Sequence, residues 1–234
     1  MDLTVGSDLS KHLTKYFTSR AAETDPITAL YPAFTVGAND DEFNDNSFSG
    51  WTAVNSGSQV PTVTEANHVA SIVHPGGGSS AYLWAYMKSY SVQVNDYIEI
   101  AFRFASVSQA YNRAGLLMAN GVSFGSGAQV LYAPSYYQAM TAFSAYTGYN
   151  TDDPGGSNTL QLLNTLGCGV TFLRMKYEGS NHFRAYVSAD GVSWVDVSGQ
   201  QTFTLTPTYI GFFLTPYGGG SPLIMSVHYF KQSA

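Results

Sequence analysis

Residues 172–197 read FLRMKYEGSNHFRAYVSADGVSWVDV, and their alternation decides the fold class. Leu173, Met175 and Tyr177 fall on one side of an extended strand, Arg174 and Lys176 on the other. Phe183, Ala185 and Val187 repeat the pattern after a tight turn through Glu178, Gly179, Ser180 and Asn181. Period-two alternation in two adjacent runs predicts an antiparallel pair with one buried face. Asp190-Gly191 then supplies a second hairpin turn leading to Ser193-Trp194.

Outward from this segment, strand signals recur from Asn39 onward. Candidates are residues 68–73, 81–87, 97–104, 129–133, 136–146 and 203–206, separated by Gly, Ser, Asn, Asp and Pro clusters. Ile98, Ile100, Phe102 and Phe104 share one face. Short strands with frequent turns predict a two-sheet antiparallel sandwich or jelly roll with hardly any helix. Ile98, Ile100, Phe102, Leu173, Met175, Phe183 and Val187 are its expected core residues.

An Arg-containing strand, a Gly turn, a strand and then S-x-D-G-x-x-W, here Ser188 to Trp194, resembles the concanavalin A-like lectin/glucanase superfamily, in its laminin-G-like branch. Asp41-Glu42-Phe43 followed by Trp51 resembles the opening strand, and Arg113-Ala114-Gly115-Leu116-Leu117 a central R-x-G-L-L strand. Residues 209–213 and 225–230 resemble the closing pair. The resemblance covers residues 41–230 and implies an all-β, two-sheet jelly roll.

Residues 1–38 differ. Residues 8–16 suit a short helix capped by Asp8, with Leu9, Leu13 and Phe17 on one face; Pro26 and Pro32 then impose extended chain. The expected organisation is an N-terminal docking arm over 1–38 and a lectin-like jelly roll over 39–234. The arm reads either as a loosely attached leader or as a segment whose narrow apolar stripe seeks another subunit.

The chain has 234 residues, of which 11% are charged and 15% aromatic, with 17 tyrosines and a net charge of −6. A low-charge, tyrosine-rich surface suits sugars or neighbouring subunits. The acidic balance and ten scattered basic residues disfavour nucleic acid. No apolar run reaches membrane-spanning length, so no membrane insertion is expected. The single cysteine, Cys168, excludes an intrachain disulfide. No secretory pattern opens the chain.

Hydrolysis of a glycoside bond needs two carboxylates across it. Glucanases of the resembled superfamily carry them as E-x-D-x-x-E, and Glu23, Glu42, Glu65, Glu99 and Glu178 lack that spacing. The expectation is therefore a protein that is not an enzyme, with Glu99 in a salt bridge or on a solvated face. No G-x-S-x-G elbow occurs, and His12, His68, His74, His182 and His228 show no zinc spacing. The oxygen-rich run 39–46 nominates calcium, with Asp40, Asp41 and Asp45 as ligands. The resemblance to calcium-holding laminin-G-like domains points the same way, and Asp152-Asp153 is a weaker candidate.

Sugar recognition pairs an aromatic face with planar polar groups. Tyr146, Tyr149, Asn150 and Asp152, joined by Tyr217, form the expected glycan-binding set; Tyr111, Asn112 and Arg113 form another trio. The same tyrosines also suit a core or a subunit interface.

Three function classes follow. The first is a bacteriophage virion structural or attachment protein: head decoration, fibre or tail-tip subunit. It would be homo-oligomeric, docked on other virion subunits through the arm, and in contact with cell-surface glycan. The alternatives are an extracellular or cell-surface bacterial glycan-binding module, and, third, a glycoside hydrolase on the same scaffold.

Overall fold

A computed structural model describes residues 40–43, 45–55, 60–66, 68–75, 84–106, 112–122, 126–133, 140–147, 160–163, 170–215 and 222–233. The chain divides into two units, Met1–Thr35 and Val36–Ala234. The arm, its expected helix and Cys168 lie outside the described residues. Among the described residues there is no helix, and none that could cross a membrane.

The strands, numbered in chain order, form two antiparallel sheets. One is seven-stranded: β1 (Thr52–Asn55), β4 (Trp84–Ser89), β14 (Tyr209–Thr215), β6 (Arg113–Ala119), β7 (Ser126–Ala133), β8 (Met140–Thr147) and β9 (Leu160–Leu163). The other runs β12 (Val195–Asp196), β11 (His182–Ser188), β10 (Thr171–Gly179), β5 (Tyr97–Ser106), β15 (Leu223–Gln232), β3 (Val69–His74) and β2 (Thr62–Ala66), with β13 (Gln201–Thr202) also on β11. This is the all-β two-sheet sandwich that the alternation predicts.

Alternating side chains of both sheets form one core. Ile98, Ile100, Phe102, Leu173, Met175 and Phe183 meet Leu116, Met118, Ile210 and Phe212. Val187 is only half-buried, because β11 lies near the sheet edge, with a two-residue β12 beyond it. A bulge between Val227 and Tyr229 shifts the parity of β15, so that Val227 and Phe230 both join the core. The β10–β11 hairpin turns through Gly179, Ser180 and Asn181, all at positive φ. At Asp190-Gly191 only Gly191 has positive φ.

Three strand expectations are corrected. Asp41 makes an isolated bridge to Phe230 rather than opening a strand, since Phe43 turns the chain at φ 53°. The two closing strands do not pair with each other: β14 lies between β4 and β6, and β15 between β5 and β3. Residues 203–206 are not a strand. Phe203 and Leu205 are buried, but their N–H groups donate to the Asn181 backbone and side-chain oxygens, not to a ladder.

Trp51, just before β1, is held by contacts to both sheets. Trp51 Nε1–H donates to Asp41 Oδ2 at 2.6 Å, and its ring meets Phe212 and Phe230 edge-on. Residues 41–51 are thereby tied to both sheets.

Candidate functional site

The outward face of the eight-stranded sheet carries a continuous polar row. Register places Asp196 opposite Tyr186, Tyr186 opposite Arg174, Arg174 opposite Glu99, and Glu99 opposite Lys231. The row therefore crosses five strands. It exists because the inward partners on those strands are apolar, so alternation turns every charge outward.

Arg174 is its centre. Its Nε–H donates to Glu99 Oε1 at 2.7 Å. Its guanidinium lies 4.6 Å from the Tyr97 ring centre and 4.0 Å from that of Trp194. Both distances are within cation–π range. Burial pushes the Glu99 carboxyl above its ordinary value, while Arg174 and Lys231 pull it back. The Glu99 side chain is 5% exposed, which makes it a salt bridge, not a solvated face.

Trp194 is set over Arg174 by the turn that the sequence marks. Asp190 Oδ1 accepts the N–H groups of Val192 and Ser193 at 2.9 and 2.7 Å, and the Ser188 hydroxyl at 2.9 Å. The Ser193 and Val192 amides are the leading reasons that the Asp190 carboxyl falls to about 2. A Cβ at Gly191 would sit 3.0 Å from the Phe172 ring, so glycine lets this turn lie on the sheet.

Beside the row, Arg184 donates to Glu178 Oε1 at 2.8 Å and to Asp196 Oδ2 at 2.6 Å, and Gln200 donates to Glu178 Oε2 at 2.7 Å. Aromatic faces and planar polar groups thus converge here, the combination that saccharide recognition uses. Sequence reading quotes Trp194 and Arg174 only as motif residues. Glu99 and Arg174 are 75 residues apart, and no local signal joins them.

Of the expected glycan residues, Tyr149, Asn150, Asp152 and Tyr217 lie outside the described residues, and Tyr146 is placed by backbone alone, in β8. In the other trio, Asn112 and Arg113 are each 2% exposed, so neither is presented to solution.

The calcium residues are described. Asp40 Oδ1 accepts the Gln232 N–H at 2.8 Å. Asp41 Oδ1 accepts the Phe43 N–H at 2.9 Å, and Asp45 Oδ1 the Ser47 N–H at 2.9 Å. Among the described residues, no group of three or more His, Cys, Asp or Glu is placed to hold a metal ion. Asp40, Asp41 and Asp45 each hold a backbone N–H, and so tie turns and strands. Nearby, Glu65 accepts the Asp45 and Asn46 N–H groups at 2.8 and 2.9 Å, and burial raises its carboxyl.

No family model matches the chain. No curated protein matches it. Solved structures do. A Beta-1,3-glucanase from Mycobacterium marinum is similar at 14% identity and TM-score 0.55, over 85% of this chain and 99% of that one. A GH43 protein from Bacillus licheniformis, BlXynB, is similar at 13% identity and TM-score 0.62, over 87% of this chain and 40% of that one. The VIP36 exoplasmic/lumenal domain, in its Ca2+/Man3GlcNAc-bound form, is similar at 11% identity and TM-score 0.53, over 80% of this chain and 84% of that one. The likeness shows the fold, a two-sheet concanavalin A-like jelly roll.

The expectation that the chain is not an enzyme is corrected by the same finding. A glucanase and glycosyl hydrolases share this fold. A missing E-x-D-x-x-E spacing excludes one placement of the acids, not hydrolysis, because two carboxylates can approach from strands far apart in sequence.

Proposed function

We propose that the chain engages glycans through its jelly roll, as a lectin or as a glycosidase. The fold carries this reading: glucanases and a lectin bound to Man3GlcNAc are built on it. Tyr146, Tyr149, Asn150 and Asp152, together with Tyr217, are the proposed ligand-binding set; tyrosine rings stack on sugar C–H groups while the amide and carboxylate bond hydroxyls. Calcium joins the proposal, with Asp40, Asp41 and Asp45 as its ligands; the Ca2+-bound VIP36 domain of similar fold supports it.

The proposal extends to context. The low-charge, tyrosine-rich composition and the apolar stripe of Leu9, Leu13 and Phe17 support a homo-oligomeric subunit of a bacteriophage virion, docked through residues 1–38. Weak single sites on such a particle gain avidity from multivalency.

A glycan array probed with the full chain tests the reading, followed by a reducing-end assay on every oligosaccharide that binds. Binding with turnover identifies a glycosidase, and binding alone a lectin. Absence of both overturns the proposal. Tyr149→Ala is expected to weaken binding; unchanged binding would remove Tyr149 from the site.

A further inference from the structure

We propose that Trp194 is a stacking platform for a neutral pyranose, forming a saccharide subsite on the outward face of the eight-stranded sheet. This rests on the glycan reading above and adds a place and a ligand class to it.

The first observation is a preassembled aromatic surface. One face of the half-buried Trp194 ring lies on the Arg174 guanidinium, whose other neighbour is the Tyr97 ring. Glu99 fixes the guanidinium from the side, and Asp190 fixes the turn that carries the indole. A ring immobilised before binding loses little entropy when a ligand arrives.

The second observation is the turn that carries the ring. Val192, held in that turn by Asp190, is 58% exposed, one of the four large hydrophobics that stand out among the described residues. An exposed apolar side chain two residues from the indole suits the C–H face of a sugar ring, not a phosphate or a solvated ion.

The third is charge. Arg174 is paired with Glu99, and Arg184 with both Glu178 and Asp196. Lys176 and Lys231 share this face, and Asp190 adds a further carboxylate beside it, so four cations meet four carboxylates and the balanced surface suits an uncharged saccharide. Arg184, Glu178 and Gln200 still offer planar groups to hydroxyls at the edge of the row.

The experiment uses the full chain with β-1,3-gluco- and α-manno-hexasaccharides as neutral probes and a hexauronate as the anionic one. Affinity is measured by calorimetry, and indole emission is followed in parallel. Trp84 is 1% exposed and Trp51 is hydrogen-bonded to Asp41, so an emission change on binding reports Trp194. Trp194→Ala should weaken binding of a neutral hexasaccharide by about tenfold or more, about 1.4 kcal/mol. Trp194→Phe should keep most of the affinity while losing the emission change. If Trp194→Ala compromises folding, the wild-type emission change and the Phe variant decide alone.

Binding of a neutral probe with no emission change, or with affinity unchanged in a folded Trp194→Ala chain, overturns the subsite and leaves the glycan function standing. Preference for the hexauronate overturns the assignment of a neutral ligand. Failure of the wild-type chain to bind any probe or any arrayed glycan overturns the subsite and the proposed function together.

Discussion

Replacing Arg174 by methionine is expected to destabilise the fold more than replacing Glu99 by glutamine at pH 7, and only the first deficit should shrink as pH falls. The Glu99 side chain is 5% exposed and that of Arg174 24%. Methionine at 174 strands a carboxylate in a poorly hydrated place, and breaking a buried pair from that side costs about 3–5 kcal/mol. Protonation sets a ceiling. Neutralising a carboxyl of ordinary value 4.5 at pH 7 costs about 3.4 kcal/mol, at about 1.36 kcal/mol per pH unit. The expected loss at pH 7 is therefore about 3 kcal/mol. Glutamine at 99 leaves a partly hydrated guanidinium, still stacked on Tyr97 and Trp194 and still facing an oxygen acceptor, so the loss is about 1 kcal/mol.

The sign of the pH effect follows from the same geometry. Arg174 pulls the Glu99 carboxyl down, so its removal raises the folded-state value further above the unfolded one. A raised carboxyl stabilises the fold when protonated and costs stability as pH rises through its folded value. The Arg174→Met deficit, measured against wild type at each pH, should shrink between pH 7 and 4.5, leaving about 1 kcal/mol from lost stacking. Urea unfolding of wild type, both single variants and the double variant at the two pH values gives every term. The reasoning is refuted if Glu99→Gln costs as much as Arg174→Met at pH 7, or if the Arg174→Met deficit is the same at both pH values.

Three further outcomes are expected. A Cβ on Gly211 would sit 2.1 Å from the Tyr86 carbonyl oxygen, so Gly211→Ala should cost about 3 kcal/mol or more. Gly121→Ala, which meets nothing within 4 Å, should stay within about 0.5 kcal/mol by thermal melting. Asp190→Ala should raise amide hydrogen exchange at Val192 and Ser193 relative to wild type. Because its folded value of about 2 lies below the ordinary 3.8, the wild-type contribution is present above pH 3.8 and fades as pH falls towards 2; equal protection of wild type and variant at pH 6 would contradict this.

The strand faces were legible because alternation is local: Ile98, Ile100, Leu173 and Met175 need no partner to declare their side. Three things were not. Residues 203–206 alternate like a strand, yet what makes a strand is a neighbouring ladder, and Asn181 takes their N–H groups instead. Asp41 to Phe43 looked extended, but Phe43 adopts positive φ, which an aromatic residue does not advertise. The Trp194–Arg174–Glu99 stack depends on the registers of β5 with β10 and β10 with β11, and register is set by global packing.

The placement of the last two long strands bears on how the chain is made. β14 joins β1–β4 to β6–β9, and β15 joins β12–β11–β10–β5 to β3–β2. Until residues 209–232 leave the ribosome, each sheet exists as two unjoined halves with open edges. Folding of this sandwich must wait for synthesis to pass residue 232, at a cost of long-range closure that slows it. A nascent chain halted before Tyr209 would offer four unpaired strand edges, on β4, β6, β5 and β3, to any neighbour on the same message. The C-terminal strands are thus keystones: the rest of the sandwich is laid first, and they lock both arches at the end.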